Sequence, residues 1–258
     1  MLGLAMHLYQ AGFDVQRIAL GYLNVFFLFG LGNPGATSQV VGGWSLGIEF
    51  IFYLLFPLAL SVLSGKAWPL LLIIAFTSQH VFVNLVLGNG KGLVANWNSY
   101  TQFLSFVFYF AAGCAIGRFI LSGLLREHWV GIPILIALLG VLAVSSGNTS
   151  DETLIALPGI GLSIAAVLSV LAAACLKLGA ASTQIADLLG KSSYGVYILH
   201  PLLLRPVDRL AVAIGLGSTG ILVLTLASSF AAALLLERLL ERPIQEHFKR
   251  GLATSSPL

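Results

Sequence analysis

The sequence predicts an all-α fold, a polytopic transmembrane helix bundle with about eight crossings. Hydrophobic residues fill 58% of the 258 positions and charged residues only 9%, whereas soluble globular proteins carry about 25% charged residues. Apolar runs of about 20 residues, the length that a helix needs to cross a bilayer, recur along the chain. This composition excludes a soluble protein and makes the lipid bilayer the first expected partner. We expect no nucleic acid as a partner, because the net charge of +3 reflects lysine and arginine residues on cytoplasmic loops.

Seven apolar runs are long enough for one crossing each. They span residues 44–64, 69–87, 101–122, 130–146, 154–176, 193–214 and 218–240. Residues 2–12 and 18–32 are shorter and are separated by polar side chains, so we count them as one crossing plus an interfacial piece. Because no linker or repeat divides the chain, we expect one membrane domain over residues 1–250 and a disordered tail over 251–258.

Lysine and arginine residues set the predicted orientation. If residues 33–42 face outward, nine of these cations fall on inner loops and three on outer loops. Cytoplasmic loops carry an excess of cations. We therefore expect a multi-pass protein of the inner or plasma membrane, with its C-terminus in the cytoplasm.

The two cysteines give no indication of a disulfide or a metal site. Cys114 and Cys175 both lie inside apolar runs, where a thiol acts as a small hydrophobic side chain. We expect no metal cofactor.

A polar stripe runs along the apolar stretch 44–64. On a helix Ser45, Glu49 and Tyr53 fall at i, i+4 and i+8, so they share one face. An unpaired carboxylate at membrane depth costs about 2.5–3.5 kcal/mol or more, and we therefore expect this face to point at protein. Pro57 cannot donate to the carbonyl of Tyr53, which leaves a free acceptor on the stripe. The other faces carry Ile48, Ile51, Phe52 and Leu55.

A second polar stripe opens the run 193–214. Ser193, Tyr197 and His200 stand at i, i+4 and i+7, which lines hydroxyls and an imidazole along one helical face. Imidazole is the side chain best suited to pass a proton near neutral pH. Pro201 follows His200 directly, and because it lacks an N–H it opens the backbone around Tyr197. The pattern fits either proton transfer or a structural bond from His200 to a neighbouring helix.

Two other crossings carry polar side chains. Gln102, Ser105 and Tyr109 share one face by their i, i+3, i+7 spacing, and an interhelical bond or a substrate cleft explains them equally well. For His80, beside Gln79, we expect a packed position in which its polar atoms are satisfied.

Three strings resemble signatures of the acyltransferase-3 family of integral-membrane acyltransferases. They are Trp44-Ser45-Leu46 with Glu49, the serine-tyrosine…tyrosine…histidine-proline run that ends in His200-Pro201, and Glu241-Arg242-Pro243. The resemblance implies transfer of an acyl group, most often acetyl, from acyl-coenzyme A at the cytoplasmic face. The implied acceptor is a hydroxyl of a carbohydrate, such as an exported polysaccharide or a glycolipid.

This chemistry needs a base for the acceptor hydroxyl and a donor for the oxyanion of the tetrahedral intermediate. We assign catalytic roles to Glu49, His200, Tyr53 and Tyr197. We assign substrate contacts to Trp44, Ser45, Ser193 and Tyr194. Cations on the cytoplasmic side can meet the coenzyme phosphates, and these are Arg118, Arg126 and Lys191. We further expect Glu49 and His200 to belong to one buried polar site.

The chain departs from the family at its start. The arginine–histidine pair of the family's first helix has no counterpart here, and residues 1–13 open inside an apolar segment. We therefore expect an N-terminally incomplete form of a ten-helix enzyme that is inactive by itself. Two other classes stay open. A proton-coupled transporter or flippase of a sugar-containing substrate would relay protons through Glu49 and a histidine, and a partner subunit would do no chemistry.

Overall fold

The computed structural model describes residues 15–125, 131–145, 152–176 and 178–254. Within these ranges the chain forms helices and turns without a β-strand, which confirms the predicted all-α fold. The chain divides into two compact units, Met1–Lys177 and Leu178–Leu258.

The first unit is built from helices of very different length. They are α1 (Val15–Val25), α2 (Pro34–Thr37), α3 (Trp44–Ser64), α4 (Trp68–Leu87), α5 (Gly92–Ala95), α6 (Trp97–Tyr100), α7 (Val107–Leu121), α8 (Gly131–Ser145) and α9 (Ala156–Ala174). Short 3-10 turns add Leu28–Leu31, Phe103–Ser105 and Glu152–Leu154. Because only residues 65–67 join α3 to α4, these helices run antiparallel. Helix α7 packs on both of them, and α8 packs on α9.

Four helices in the described part of the chain are long and apolar enough to cross a bilayer. They are Trp44–Ser64, Trp68–Leu87, Ala156–Ala174 and the continuous run Ser218–Phe248. Helix α7 is apolar but shorter. The predicted runs 44–64 and 69–87 match α3 and α4 to within one residue, and Pro57 lies inside α3 without ending it. The larger total of about eight crossings stays a prediction.

The predicted crossing 101–122 is interrupted near its start. Gln102 has extended backbone geometry (φ −104°, ψ 154°), and its side chain donates to a carbonyl four residues earlier. The α-helix begins only after the 3-10 turn, and there the Tyr109 hydroxyl bonds to Ser163 of α9. The expected common face of Gln102, Ser105 and Tyr109 is therefore wrong, because Gln102 completes a local turn that precedes the helix.

The second unit is a helical hairpin with an extension. Its helices are α10 (Ala180–Ala213), α11 (Ser218–Leu236) and α12 (Arg242–Thr254), with a π-helical turn at Glu237–Glu241. Helices α10 and α11 pack along one another. Helix α10 is continuous over 34 residues although Pro201 and Pro206 lie inside it. The predicted crossing 193–214 is thus the second part of a longer helix.

The predicted boundaries at the C-terminal end differ from the helix bounds. Helix α12 continues to Thr254, so residues 251–254 of the expected tail are helical. Residues 255–258 lie outside the described residues. The single domain over residues 1–250 stays a prediction.

Candidate functional site

The tryptophan of the first signature anchors the start of α3 to other aromatic rings. Trp44 is half-buried, and its ring centroid lies 5.5 Å from that of Trp97 and 5.6 Å from that of Phe106. Aromatic pairs of this kind contribute about 0.5–1.5 kcal/mol beyond the area that they bury. The hydroxyl of Ser45 donates to the carbonyl of Gly42 at 3.2 Å. Trp44 and Ser45, both expected to contact substrate, therefore also hold the beginning of α3 in place.

A glycine inside the same signature allows another segment to approach α3. A Cβ added at Gly47 would overlap the backbone of Gly30, and one added at Gly30 would overlap the carbonyl of Gly47. The 3-10 turn Leu28–Leu31 therefore packs directly on α3 through these two glycines. The contact between Gly47 and Gly30 joins segments 17 residues apart, and the sequence gives no signal for it.

The polar stripe of α3 lies on the open side of the helix. Tyr53 is 69% exposed and Glu49 is half-buried, and neither forms a hydrogen bond or ion pair with the described residues. The expectation that this face packs against protein is therefore wrong for Tyr53. Phe52 instead stacks on Phe110 of α7 at 4.6 Å, and this ring pair turns the apolar side of α3 inward. Among the described residues, none bonds to the side-chain oxygen atoms of Glu49 and Tyr53, which can therefore bind a ligand.

Helix α4 carries two buried polar side chains. Gln79 is 2% exposed, and its Oε1 accepts a hydrogen bond from the backbone N–H of Phe108 at 3.0 Å. This bond satisfies a donor in the first turn of α7. His80 is 8% exposed and packs its ring against Phe76 at 4.5 Å. The packed position expected for His80 is confirmed. The expectation that its polar atoms are satisfied is wrong for Nε2, which is buried and has no hydrogen-bond partner among the described residues.

A buried tyrosine lies beside the broken start of the third crossing. Burial, together with the nearby Tyr109, raises the pKa of Tyr100 to about 12. Its ring contacts Phe106, with 5.5 Å between the centroids. Tyr100 is therefore a neutral hydroxyl at physiological pH.

In the second unit, His200 is held by its own helix. Its Nδ1 lies 2.7 Å from the backbone carbonyl oxygen of Tyr197. Pro201 has no N–H to give to that carbonyl, so the imidazole takes the place of the missing backbone donor. A carbonyl oxygen can only accept, and Nδ1 must therefore carry the proton. In the neutral ring this leaves the lone pair on Nε2.

The other residues of the second stripe lie on the outside of α10. The hydroxyl of Ser193 donates to the carbonyl of Gly190 at 2.7 Å, while its neighbour Ser192 is the buried serine of this turn. Tyr194 and Tyr197 are 52% and 37% exposed. The Tyr197 ring centroid lies 5.7 Å from that of His200. The structure thus brings Tyr197 and His200 together.

A polar cavity joins the second and third signatures. Lys191 lines a space of about 380 Å³ together with Glu237, Glu241, Arg242 and Gln245. Within it Arg242 forms an ion pair with Glu237 at 3.0 Å. Residues five apart align in a π-helix, which explains how this pair forms across the turn.

A groove at the C-terminal end of α3 contains Arg118, one of the cations predicted to meet the coenzyme phosphates. Side chains of α3 and α7 line a volume of about 710 Å³ that includes Arg118. The Nη1 atom of Arg118 is buried and has no hydrogen-bond partner among the described residues. Arg126 lies outside the described residues.

The predicted residues are divided between the two units. Glu49 and Tyr53 share a face of α3, and Tyr197 and His200 meet on α10. The hypothesis that Glu49 and His200 belong to one site stays a prediction. Among the described residues no group of three or more His, Cys, Asp or Glu side chains is placed to hold a metal ion.

These features are those of a helical membrane protein that carries a carboxylate and hydroxyls in its first unit and hydroxyls and an imidazole in its second. The sequence profile of the acyltransferase-3 family, described as an acyltransferase domain, matches residues 3–238. The chain therefore belongs to this family, which confirms the resemblance of its signatures.

One curated relative supports the same assignment. The chain is 28% identical over 220 residues to the exopolysaccharide production protein ExoZ of Rhizobium meliloti (strain 1021). The aligned part covers 83% of this chain and 63% of ExoZ, so the chain spans less than two thirds of that relative. Among solved structures, none matches the chain significantly.

Proposed function

We propose that this protein transfers an acyl group, in the first instance acetyl, from acyl-coenzyme A to a hydroxyl of a carbohydrate. The acceptor would be an exported polysaccharide or its glycolipid precursor. Membership of the acyltransferase-3 family supports the reaction class. The relative named for exopolysaccharide production supports the acceptor class.

The observation that carries the catalytic assignment is the bond between His200 Nδ1 and the Tyr197 carbonyl. A general base needs a free lone pair within reach of the hydroxyl that it deprotonates. The carbonyl fixes the proton on Nδ1, so Nε2 is the basic nitrogen. Positioned bases of this kind contribute about 10²–10⁴-fold to the rate.

In the proposed step, Nε2 of His200 takes the proton of the acceptor hydroxyl as its oxygen bonds to the thioester carbonyl carbon. The tetrahedral intermediate then collapses, the carbon–sulfur bond breaks, and the imidazolium returns the proton to the coenzyme thiolate. A tyrosine hydroxyl can donate to the oxyanion, and we propose Tyr53 and Tyr197 for this role. Glu49 has a free carboxylate that can accept a hydrogen bond from the acceptor.

We propose substrate contacts for the side chains that flank these groups. Trp44 offers an aromatic face to a sugar ring, and Tyr194 offers an exposed hydroxyl. Ser45 and Ser193 add hydroxyl oxygens that can accept from the acceptor. Each of these contacts should affect KM for the carbohydrate more than kcat.

The donor would enter from the cytoplasmic side, where the C-terminus and most cations are predicted to lie. Arg126 and Lys191 are proposed to meet the coenzyme phosphates. Lys191 already faces Glu237 and Glu241, which repel a phosphate. If Lys191 binds a coenzyme phosphate, that phosphate must displace these two carboxylates. Replacing Lys191 with glutamine should then raise KM for acyl-coenzyme A.

The test is a transfer assay with the full chain in lipid vesicles, radiolabelled acetyl-coenzyme A and an oligosaccharide acceptor. His200→Gln should lower kcat by about 10²–10⁴-fold. His247→Gln, an exposed histidine of α12 in the same unit, should leave it unchanged. Substrate uptake without ester formation would support the transporter alternative and overturn the proposal.

A further inference from the structure

The groove between α3 and α7 has the size of a ligand site. Its volume is about 710 Å³, and ligand pockets measure about 300–1,000 Å³. Apolar side chains line most of it, among them Phe56, Leu60, Phe110 and Leu121. Three of these are partly exposed at its mouth, with Phe56 at 41%, Leu60 at 39% and Leu121 at 91%. An apolar chain can therefore enter it from the side.

The hydroxyls that line the groove are already used by the protein. The Tyr109 hydroxyl bonds to Ser163 at 3.0 Å. Ser64 donates to a carbonyl of its own helix at 2.7 Å, and Ser122 does the same at 3.0 Å. A ligand with carbonyl groups along its length would therefore meet few free donors among the described lining residues, and each unsatisfied group costs about 1–3 kcal/mol.

Arg118, unlike these hydroxyl residues, has a polar atom in the groove that forms no hydrogen bond with the described residues. Its Nη1 atom is buried in this apolar surrounding, and no acid or carbonyl of the described residues accepts from it. A cation within a transmembrane bundle normally pairs with an opposite charge or faces a polar partner. Guanidinium binds phosphate particularly well, because its planar N–H groups match two phosphate oxygens. The groove thus joins an apolar channel to a guanidinium whose buried Nη1 has no partner among the described residues.

We propose that this groove binds an anionic phospholipid of the surrounding bilayer, with its phosphate on Arg118 and one acyl chain along the groove. Basic pockets between transmembrane helices are known to bind lipid head groups. The coenzyme fits less well, because its pantetheine arm carries two amides and the lining of the groove is mostly apolar. Arg118 is thereby reassigned from the coenzyme to a lipid. The inference does not depend on the acyl transfer proposed above.

The native cysteines allow a direct test with the intact chain. Cys114 lines the groove and Cys175 lies outside it, and both are half-buried. In the delipidated protein in detergent, phosphatidylglycerol should slow alkylation of Cys114 by N-ethylmaleimide. The effect should reach roughly tenfold when the lipid is present at about nine times its Kd. Alkylation of Cys175, followed by peptide mass spectrometry in the same sample, should not change.

Two variants separate the phosphate contact from the apolar contact. Arg118→Gln should abolish the protection, whereas Arg209→Gln, an exposed cation elsewhere, should retain it. Gly117→Leu should fill the groove and slow Cys114 alkylation without lipid. The added side chain is tolerated because a Cβ at Gly117 meets no atom within 4 Å. An unchanged Cys175 rate shows that each variant is folded.

Two results would overturn the proposal. Equal protection by diacylglycerol, which lacks a phosphate, would remove the contact between phosphate and Arg118. Protection by coenzyme A and not by phosphatidylglycerol would return Arg118 to the donor site.

Discussion

Replacing Pro201 with alanine should slow acyl transfer while making helix α10 more stable. In the structure the carbonyl of Tyr197 accepts from His200 Nδ1 because residue 201 has no N–H to offer. Alanine restores the backbone donor, which competes with the imidazole for the same carbonyl. His200 then loses the bond that keeps its proton on Nδ1.

The size of the effect follows from the bond that is lost. A net hydrogen bond contributes about 0.5–1.5 kcal/mol. If this free energy no longer favours the tautomer with a basic Nε2, the ratio of the two tautomers should change by about 2- to 12-fold, which is the upper limit for the fall in kcat. In the opposite direction, proline inside a helix is less favourable than alanine by about 3 kcal/mol. Pro201→Ala should therefore unfold at a higher temperature than the wild type.

Transfer kinetics and thermal unfolding, measured on the same preparation, check the expected fall in kcat and the expected rise in unfolding temperature. Pro206→Ala is the matched control, because this proline lies in the same helix and no imidazole among the described residues bonds to the carbonyl four residues before it. It should raise stability and leave kcat unchanged. Full kcat in Pro201→Ala would refute the assignment of the tautomer to this bond.

Three further predictions concern packing, pH and orientation. Gly47→Ala should destabilise the protein by about 1–3 kcal/mol, because the added methyl overlaps the backbone of Gly30; circular dichroism during heating measures the loss, and a wild-type melting curve would contradict it. Burial and Tyr109 raise the pKa of Tyr100 from 10.0 to about 12. Because the phenol then ionises first in the unfolded chain, the free energy of unfolding should fall as the pH rises between these values. Tyr100→Phe should remove this part of the loss of stability at alkaline pH. The orientation can be tested with single cysteines in a cysteine-free background and an impermeant thiol reagent added to intact cells. A cysteine at position 150 should react and one at position 256 should not. Labelling at position 256 would reverse the proposed orientation.

Local backbone chemistry in the second stripe could be predicted from the sequence. Pro201 removes one specific donor, and the acceptor that loses it lies four residues earlier, so the open carbonyl of Tyr197 follows from spacing alone. The spacing also places His200 within one turn of that carbonyl. What the sequence left open was whether the imidazole would turn towards the carbonyl or towards a neighbouring helix.

The environment of each helix face could not be predicted in the same way. Ser45, Glu49 and Tyr53 share a face by periodicity, but the side that meets protein depends on partners distant in the chain. Phe110 draws the apolar side of α3 inward, and the close approach of Gly30 to Gly47 adds to this. Hydropathy could not find the turn before α7 either, because that segment is apolar whether or not it is helical.

Mass spectrometry of surface glycans tests the proposed function most directly. The comparison uses cells without the gene, cells complemented with the gene together with its upstream sequence, and cells complemented with the same DNA carrying His200→Gln. The account predicts base-labile acyl esters on the glycan only where the wild-type chain is present, with equal amounts of both proteins in the membrane. Glycans that carry the same esters in all three strains, or esters restored equally by His200→Gln, would contradict it.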